Sequence, residues 1–251
     1  MASAVSEPDR TGTAHELDFW EGWLRERGGA WPEDYVARID PERRLDPAVE
    51  SLIDRPLGAE VRILDVGAGP LSVLGRHSAR YEVDLVAVDA LAQHYDALLA
   101  RYGVQPPVRT LACCGEEVFA AFGEQAFDLV FSRNALDHMQ DPLRALTAML
   151  RTAKLGGTLR VQVYECEGER ENYVGMHQWN LLAGSGRLEL FPRERAQALD
   201  LVPILREAGE VDVASSEGFI TLTVRRHNPD LAHWPLSQQR TQMTAAAGPP
   251  A

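Results

Sequence analysis

Two acids and two glycines set the chemistry open to this sequence. Asp65, Gly67 and Gly69 stand in the run Asp-Val-Gly-Ala-Gly-Pro at 65–70, and Asp89 follows roughly twenty residues later. Gly67 and Gly69 let a backbone turn tightly and approach a ligand where a Cβ would clash. An acid at that remove is placed to accept from ribose hydroxyls in a nucleotide-binding βαβ unit, the alternative being a cap for the next helix. Two imidazoles, His138 and His177, titrate near neutral pH and can take or give a proton.

The elements that must position these groups follow from apolar spacing. Val61–Val66 is rich in β-branched residues and reads as a buried parallel strand that ends at the glycine turn. Pro70 cannot continue a ladder, and a helix is expected from near Leu71–Ser72. Tyr81–Ala87 reads as a second strand ending at Val88-Asp89. Leu91–Arg101 reads as a helix, Val108–Leu111 as a third strand and Phe127–Ser132 as a fourth. Asp141-Pro142 is a cap and first-turn pair for another helix. Thr158–Tyr164 is a fifth strand, Arg195–Ala208 a helix closed by Gly209, and Val211–Ser215 and Phe219–Arg225 the last two strands. Ahead of all this, Leu17, Trp20, Trp23 and Leu24 share one helical face, and Gly28-Gly29 ends that helix. A turn or helix opens at Trp31–Tyr35, and Val49–Ile53 marks a third helix.

Four ordered segments carry a family resemblance. Asp65–Pro70 resembles motif I of the class I S-adenosylmethionine-dependent methyltransferases, and Phe127–Ser132 resembles their fourth strand. Leu136–Pro142 is similar to their L-H-H-x-x-D-P segment, with Asp137 in place of the first His. Leu155-Gly156-Gly157-Thr158-Leu159 is similar to their L-K-P-G-G-x-L turn. The resemblance covers about residues 60–165, with a weaker tail to about 226. It implies an α/β fold: a doubly wound, mostly parallel seven-stranded sheet with a C-terminal antiparallel hairpin, here carrying an N-terminal helical cap. The implied cofactor is S-adenosylmethionine. Asp65, Gly67, Ala68 and Gly69 would form its turn, and Asp89 with Ala90 would meet its ribose. Cys114, Gly115 and Glu116 would lie beside its adenine, and Ser132, Arg133 and Asn134 beside its methionine part. The sequence departs from the family at Cys114, where relatives often carry an acid; a thiol is a weak partner, so backbone N–H groups are expected to hold the adenine.

Methyl transfer from a sulfonium needs a positioned nucleophile and sometimes a base. His177 and His138 are the best-typed bases. Glu165–Asn180 is too rich in Met, His, Gln, Trp and Asn for a plain surface loop. It reads as an acceptor-binding lid, inserted at about 165–194, with Gln178, Trp179 and Asn180 as contacts. From the cap, Trp20, Tyr35 and Arg38 are further candidates. The expected reaction is O- or N-methylation of a small molecule, in specialised metabolism. A nicotinamide-dependent oxidoreductase shares the βαβ unit but wants a third glycine where Ser72 stands. A catalytically silent cofactor-binding module is the other alternative.

Composition bounds the rest. With 25 basic and 37 acidic residues the net charge is −12, which argues against a nucleic-acid partner. No apolar run reaches the length of a membrane span and the N-terminus lacks a signal pattern, so a cytoplasmic protein is expected. The three cysteines, Cys113, Cys114 and Cys166, lack zinc-site spacing, and no acids and histidines stand at ligand spacing, so no metal is expected. A homodimer is left open. The expected organisation is a disordered tail at 1–13, a helical cap at 14–58, a methyltransferase core at 59–226 and a partly disordered tail at 227–251.

Overall fold

A computed structural model describes residues 10–231. In chain order the elements are α1 (Arg10–Arg25), α2 (Pro32–Ile39), α3 (Pro47–Glu50), β1 (Glu60–Val66), β2 (Glu82–Asp89), α4 (Ala92–Tyr102), β3 (Thr110–Ala112), α5 (Val118–Phe122) and β4 (Phe127–Arg133). There follow α6 (Pro142–Thr152), β5 (Ala153–Tyr164), α7 (Glu167–Arg170), β6 (Asn180–Gly184), β7 (Arg187–Phe191), β8 (Leu199–Asp200), α8 (Leu201–Ala208), β9 (Gly209–Ser216) and β10 (Phe219–Arg226).

The main sheet has seven strands in the order β3-β2-β1-β4-β5-β10-β9. The first five are parallel to one another, and β10 runs antiparallel to both β5 and β9. The doubly wound sheet and its C-terminal hairpin are as expected. The strand order reverses between β1 and β4, which is where a sheet of this kind opens a crevice at its strand C-termini.

Strand β1 shows why the sheet is buried on both faces. Its period of two sends Leu64 and Val66 into one cluster, with Val88 and Val130 under α6 and α8. It sends Val61 and Ile63 into another, with Leu85, Phe131, Leu45 and Val49. A third cluster packs Trp23, Leu24 and Tyr35 of α1 and α2 against Tyr95, Leu98 and Leu99 of α4. On α6 the Asp141 side chain accepts from Arg144 N, as its sequence position suggests.

Four expectations are corrected. No helix follows the glycine turn: residues 71–80 form bends, with one bridge between His77 and Arg44. Ser72 Oγ is taken by Asp65 Oδ2 and Leu74 N. The N–H groups of Arg76 and His77 go to Arg43 O, and Leu45 N goes to His77 O. The segment before α3 thus satisfies backbone groups that a helix would satisfy within itself, and a Cβ on Gly75 would lie 2.1 Å from Arg44 O. Second, α1 begins at Arg10, inside the stretch expected to be disordered; residues 1–9 and 232–251 lie outside the described residues. Third, only Leu201–Ala208 of the expected 195–208 helix is α-helical. Arg195–Gln197 makes a short 3-10 turn, and Leu199–Asp200 is a strand. Fourth, the lid is not a loop throughout. It holds α7 and two strands of a second sheet, ordered β6-β7-β8. The β6–β7 hairpin turns through Ser185 and Gly186, both at positive φ, the signature of a type I′ turn that the Gly-Ser-Gly run could have announced.

The sheet's far end hangs on Arg226, which is 0% exposed. Its guanidinium donates to the carbonyls of Leu150, Arg151, Ala153, Asn228 and Pro229 and to Glu124 Oε1. Replacing it with Met leaves those carbonyls without a donor in the interior. We expect Arg226→Met to lower unfolding free energy by about 3 kcal/mol, read as a lower denaturant midpoint; an unchanged midpoint would show that water or repacking satisfies the carbonyls.

Candidate functional site

At the C-terminal end of β1, Gly67 and Gly69 take positive φ values of 72° and 63°. Gly67 N and Ala68 N both donate to Val88 O, at 2.9 and 3.0 Å, which pins the turn to β2. A Cβ on Gly67 would lie 2.3 Å from Ala135 Cβ, and one on Gly69 would lie 2.7 Å from Trp20 Cζ2. The glycines therefore admit the loop after β4 and the indole of α1, a close approach within the protein itself.

Asp89 is the knot of this corner. Its Oδ2 accepts from Gly69 N at 3.0 Å and its Oδ1 from Leu91 N at 2.9 Å. Both sequence readings meet here, since the bond to Leu91 fastens the start of α4. A carboxylate has about four lone-pair sites, and the Tyr95 side chain also acts on Asp89 through a hydrogen bond. Burial pushes the Asp89 carboxyl up to about 6; the two N–H bonds and His138 oppose the shift, and Glu16 adds to it. Asp65, at the end of β1, is likewise pushed up to about 6 by burial, against the hydrogen bond from Ser72 and the charges of Arg38 and Arg133.

A cleft of about 470 Å³ opens beside Asp89, within the roughly 300–1,000 Å³ usual for small-molecule sites. Of the residues picked from sequence, Gly67, Asp89, Ala90, Cys114, Gly115, Glu116 and His138 line it. Glu116 accepts from Asp141 N at 3.0 Å and so also holds the start of α6. Asp65, Ala68 and Gly69 are buried behind the wall. Ser132 is buried at the end of β4 with its Oγ lacking a hydrogen-bond partner. Arg133 and Asn134 are exposed, and the Arg133 guanidinium lies over the Phe219 ring.

Helix α1 roofs the corner. Trp20 covers Gly69 and its Nε1 donates to Glu16 Oε1 at 2.7 Å. Arg38 lies against the Trp20 and Trp23 rings and donates to Leu71 O at 2.9 Å. Tyr35 is buried against Trp23. Sequence reasoning missed Glu16 and Met176, which line the cleft. Glu16 was findable, one helical turn before Trp20 on the same face.

The lid divides its candidates. Gln178 Nε2 donates to the carbonyls of Tyr173 and Gly175. Trp179 packs on the main core. Asn180, fully buried, accepts from Glu169 N and donates to Tyr173 Oη. These three hold the lid together and none lines the cleft. His177 instead reaches the segment after β4: its Nδ1 is 2.8 Å from Asp137 Oδ2 and 3.0 Å from His138 Nε2. Burial alone would depress the His177 imidazole, but the hydrogen bond and charge of Asp137, with Glu167 and Glu16, raise it. Sequence spacing gave no sign of a ligand set here, yet the fold gathers Asp137, His138 and His177 into one.

Comparison with known proteins bears on the fold and the family. A family model described as a methyltransferase domain matches residues 64–161, the stretch holding the glycine turn, Asp89 and the segment after β4. Over residues 64–161 the chain is similar to methyltransferase domains. S-adenosylmethionine is the cofactor of that family. A ubiquinone biosynthesis O-methyltransferase of Cereibacter sphaeroides (strain ATCC 17025 / ATH 2.4.3) is 32% identical over 126 residues, covering 46% of this chain and 49% of the relative. The chain thus spans about half the length of the curated relative it matches. A candidate S-adenosylmethionine-dependent methyltransferase of Methanococcus maripaludis superposes with a TM-score of 0.53 at 13% identity, covering 90% of this chain and 99% of that one. A candidate methyltransferase of Haloferax volcanii, in complex with the activator Trm112, gives 0.52 at 16% identity over 85% and 98% of the chains. At these identities the likeness is one of fold. Among the described residues no helix is long and apolar enough to cross a membrane.

The residues of the methyltransferase domain suit its cofactor. The cleft has the volume, and Asp89 and Gly67 of the glycine turn stand in its wall. Hydroxyl donors favour the ionised form of a carboxyl, so a ligand that donates to Asp89 would lower its raised value and release a proton, while Asp65, behind the wall, keeps its own. The sign follows: S-adenosylhomocysteine should bind more tightly as pH rises through about 6, with Glu16, His138, Tyr95, Arg38 and Arg133 as the charged or titratable neighbours, and affinity should level off above that window. Without ligand, the same two groups make the folded state bind more protons than the unfolded one, so their contribution to stability declines as pH rises towards about 6. Calorimetry across pH 5–8 checks the first statement; affinity that falls with rising pH would contradict it.

Proposed function

We propose that this chain transfers the methyl group of S-adenosylmethionine to a small-molecule acceptor, an O- or N-methylation in specialised metabolism. The observation that carries the reading is the cleft itself. Asp89 and Gly67 of the glycine turn line it together with His138, Glu16 and Met176. The sulfonium supplies an electrophilic methyl. The chain's own residues have to bind, orient and exclude water.

Asp89 would hold the ribose, with Gly67 and Ala90 beside it, and Cys114–Glu116 would present backbone N–H groups to the adenine. Asp65 would act through Ser72 on the shape of the turn. Trp20 would bar water from the glycine corner. His138 is the imidazole that faces the cleft, with His177 and Asp137 behind it, so the acceptor-facing part passes to His138 and His177 becomes its support. Trp20 meets the glycine turn, whereas Gln178, Trp179 and Asn180 would serve by keeping the lid in shape. The name of the curated relative, an O-methyltransferase of ubiquinone biosynthesis, supports a small organic acceptor.

The test is calorimetric titration followed by a screen of phenol, amine and carboxylate acceptors with methyl-labelled cofactor. We expect micromolar binding of S-adenosylmethionine and S-adenosylhomocysteine, no comparable binding of NAD, and transfer of label to an organic product. Asp89→Ala should weaken cofactor binding by roughly tenfold or more, since charge-assisted hydrogen bonds are worth about 1.5–3 kcal/mol each. NAD binding more tightly than either sulfur ligand would turn the reading towards the oxidoreductase alternative. Tight cofactor binding with no label transferred to any acceptor would favour the silent module.

A further inference from the structure

We propose that Asp137, His138 and His177 ligate a divalent transition-metal ion at the junction of cleft, lid and α1. Three donor atoms converge there. His177 Nδ1 is 2.8 Å from Asp137 Oδ2, His138 Nε2 is 3.0 Å from His177 Nδ1, and His138 Nε2 is 3.5 Å from Asp137 Oδ2. Donors about 2.0–2.2 Å from a common ion stand roughly 2.9 Å apart at a right angle and roughly 3.4 Å apart at the tetrahedral angle. The triangle has the edges of one face of a coordination polyhedron.

Hydrogen bonding alone satisfies this cluster poorly. A neutral imidazole carries one N–H, so the His177 Nδ1 proton would have to serve both Asp137 Oδ2 and His138 Nε2. Asp137 is 0% exposed, and its second oxygen, Oδ1, is buried without any hydrogen-bond partner. Negative charge also crowds the site. Glu16 Oε2 lies 3.9 Å from His138 Nδ1. Glu167 acts on both Asp137 and His177, although Arg170 shares it at 3.5 Å. A buried carboxylate short of donors is costly, and a dication among these groups removes the deficit.

The donor set selects the ion. Two imidazoles and one carboxylate suit zinc, iron, cobalt or manganese better than magnesium or calcium, which prefer oxygen alone. Three protein ligands leave a coordination position open, and His138 lines the cleft, so that position faces the acceptor space. The acceptor class that fits is a molecule with an ionisable oxygen able to ligate the ion, a phenol or hydroxy acid rather than an alkylamine. Asp137 and His138 come from the turn after β4 and His177 from the lid, so the ion would also fasten lid to core. The part in acceptor choice rests on the methyltransferase reading above; the binding of the ion does not.

The test uses untagged full-length protein stripped with chelator and titrated with Co2+, followed by visible absorbance and calorimetry and by Zn2+ competition. We expect one equivalent bound and a visible band that Zn2+ abolishes. Asp137→Asn, which keeps the side chain's shape, and His177→Ala should each weaken Co2+ binding by about 100-fold or more, whereas His227→Ala, at an exposed histidine, should leave it unchanged. S-adenosylhomocysteine affinity and the melting curve are read on every variant. No stoichiometric site in the wild type, or binding undiminished in both cluster variants, overturns the proposal. Cofactor binding without Co2+ binding sinks the metal site alone, and Co2+ binding without cofactor binding sinks the methyltransferase reading alone. Should His177→Ala unfold, Asp137→Asn decides the matter.

Discussion

One carboxylate fastens three parts of this fold together. Asp89 ends β2, and its two oxygens accept from Gly69 and Leu91. The first bond holds the turn that leaves β1, and the second holds the start of α4. Burial makes the ionised form costly, which is why the carboxyl titrates so far above its usual range. A group kept in that condition is a poor choice for stability alone. It is a good choice where a ligand with hydroxyl donors is to complete its shell.

Helix α1 turns that corner into a closed site. Its Trp20 lies on Gly69 and leans on Trp23 and Tyr95, while Glu16 on the same face bonds the indole and comes near His138. Earlier on the helix, Gly12 and His15 pack on Met176 and Gly175 of the lid. A single helix therefore touches the glycine turn, the segment after β4 and the lid.

Much of this was legible because its chemistry is local. The apolar run of β1, the Gly-x-Gly turn and the acid that ends β2 fall within one βαβ unit, the acid 20 positions past Gly69, so types and spacing reveal them. The cap of α6 is likewise a local bond, donated by the N–H of Arg144 to Asp141 Oδ1. Three features were not legible because their partners are distant. The absence of a helix after Pro70 depends on Arg43 and Leu45, which supply the backbone partners. The second sheet needs β8, a strand of two residues with no sequence signature. The histidine cluster needs His177 brought to His138 across 39 positions, and no spacing rule reaches that far. Polar lid residues misled for a related reason: Gln178 and Asn180 look like ligand-binding groups, but their bonds go to the lid's own backbone and to Tyr173.

The central claim is that a cofactor completes the corner of β1, β2 and β4. Hydrogen exchange followed by mass spectrometry, with and without S-adenosylhomocysteine, tests it most directly, because it reports where on the chain the ligand acts. The account predicts slowed exchange in peptides covering residues 66–71, 88–92 and 113–117. Saturating ligand with no protection there, or protection confined to the β6–β7 hairpin or to the β9–β10 end of the sheet, would contradict it.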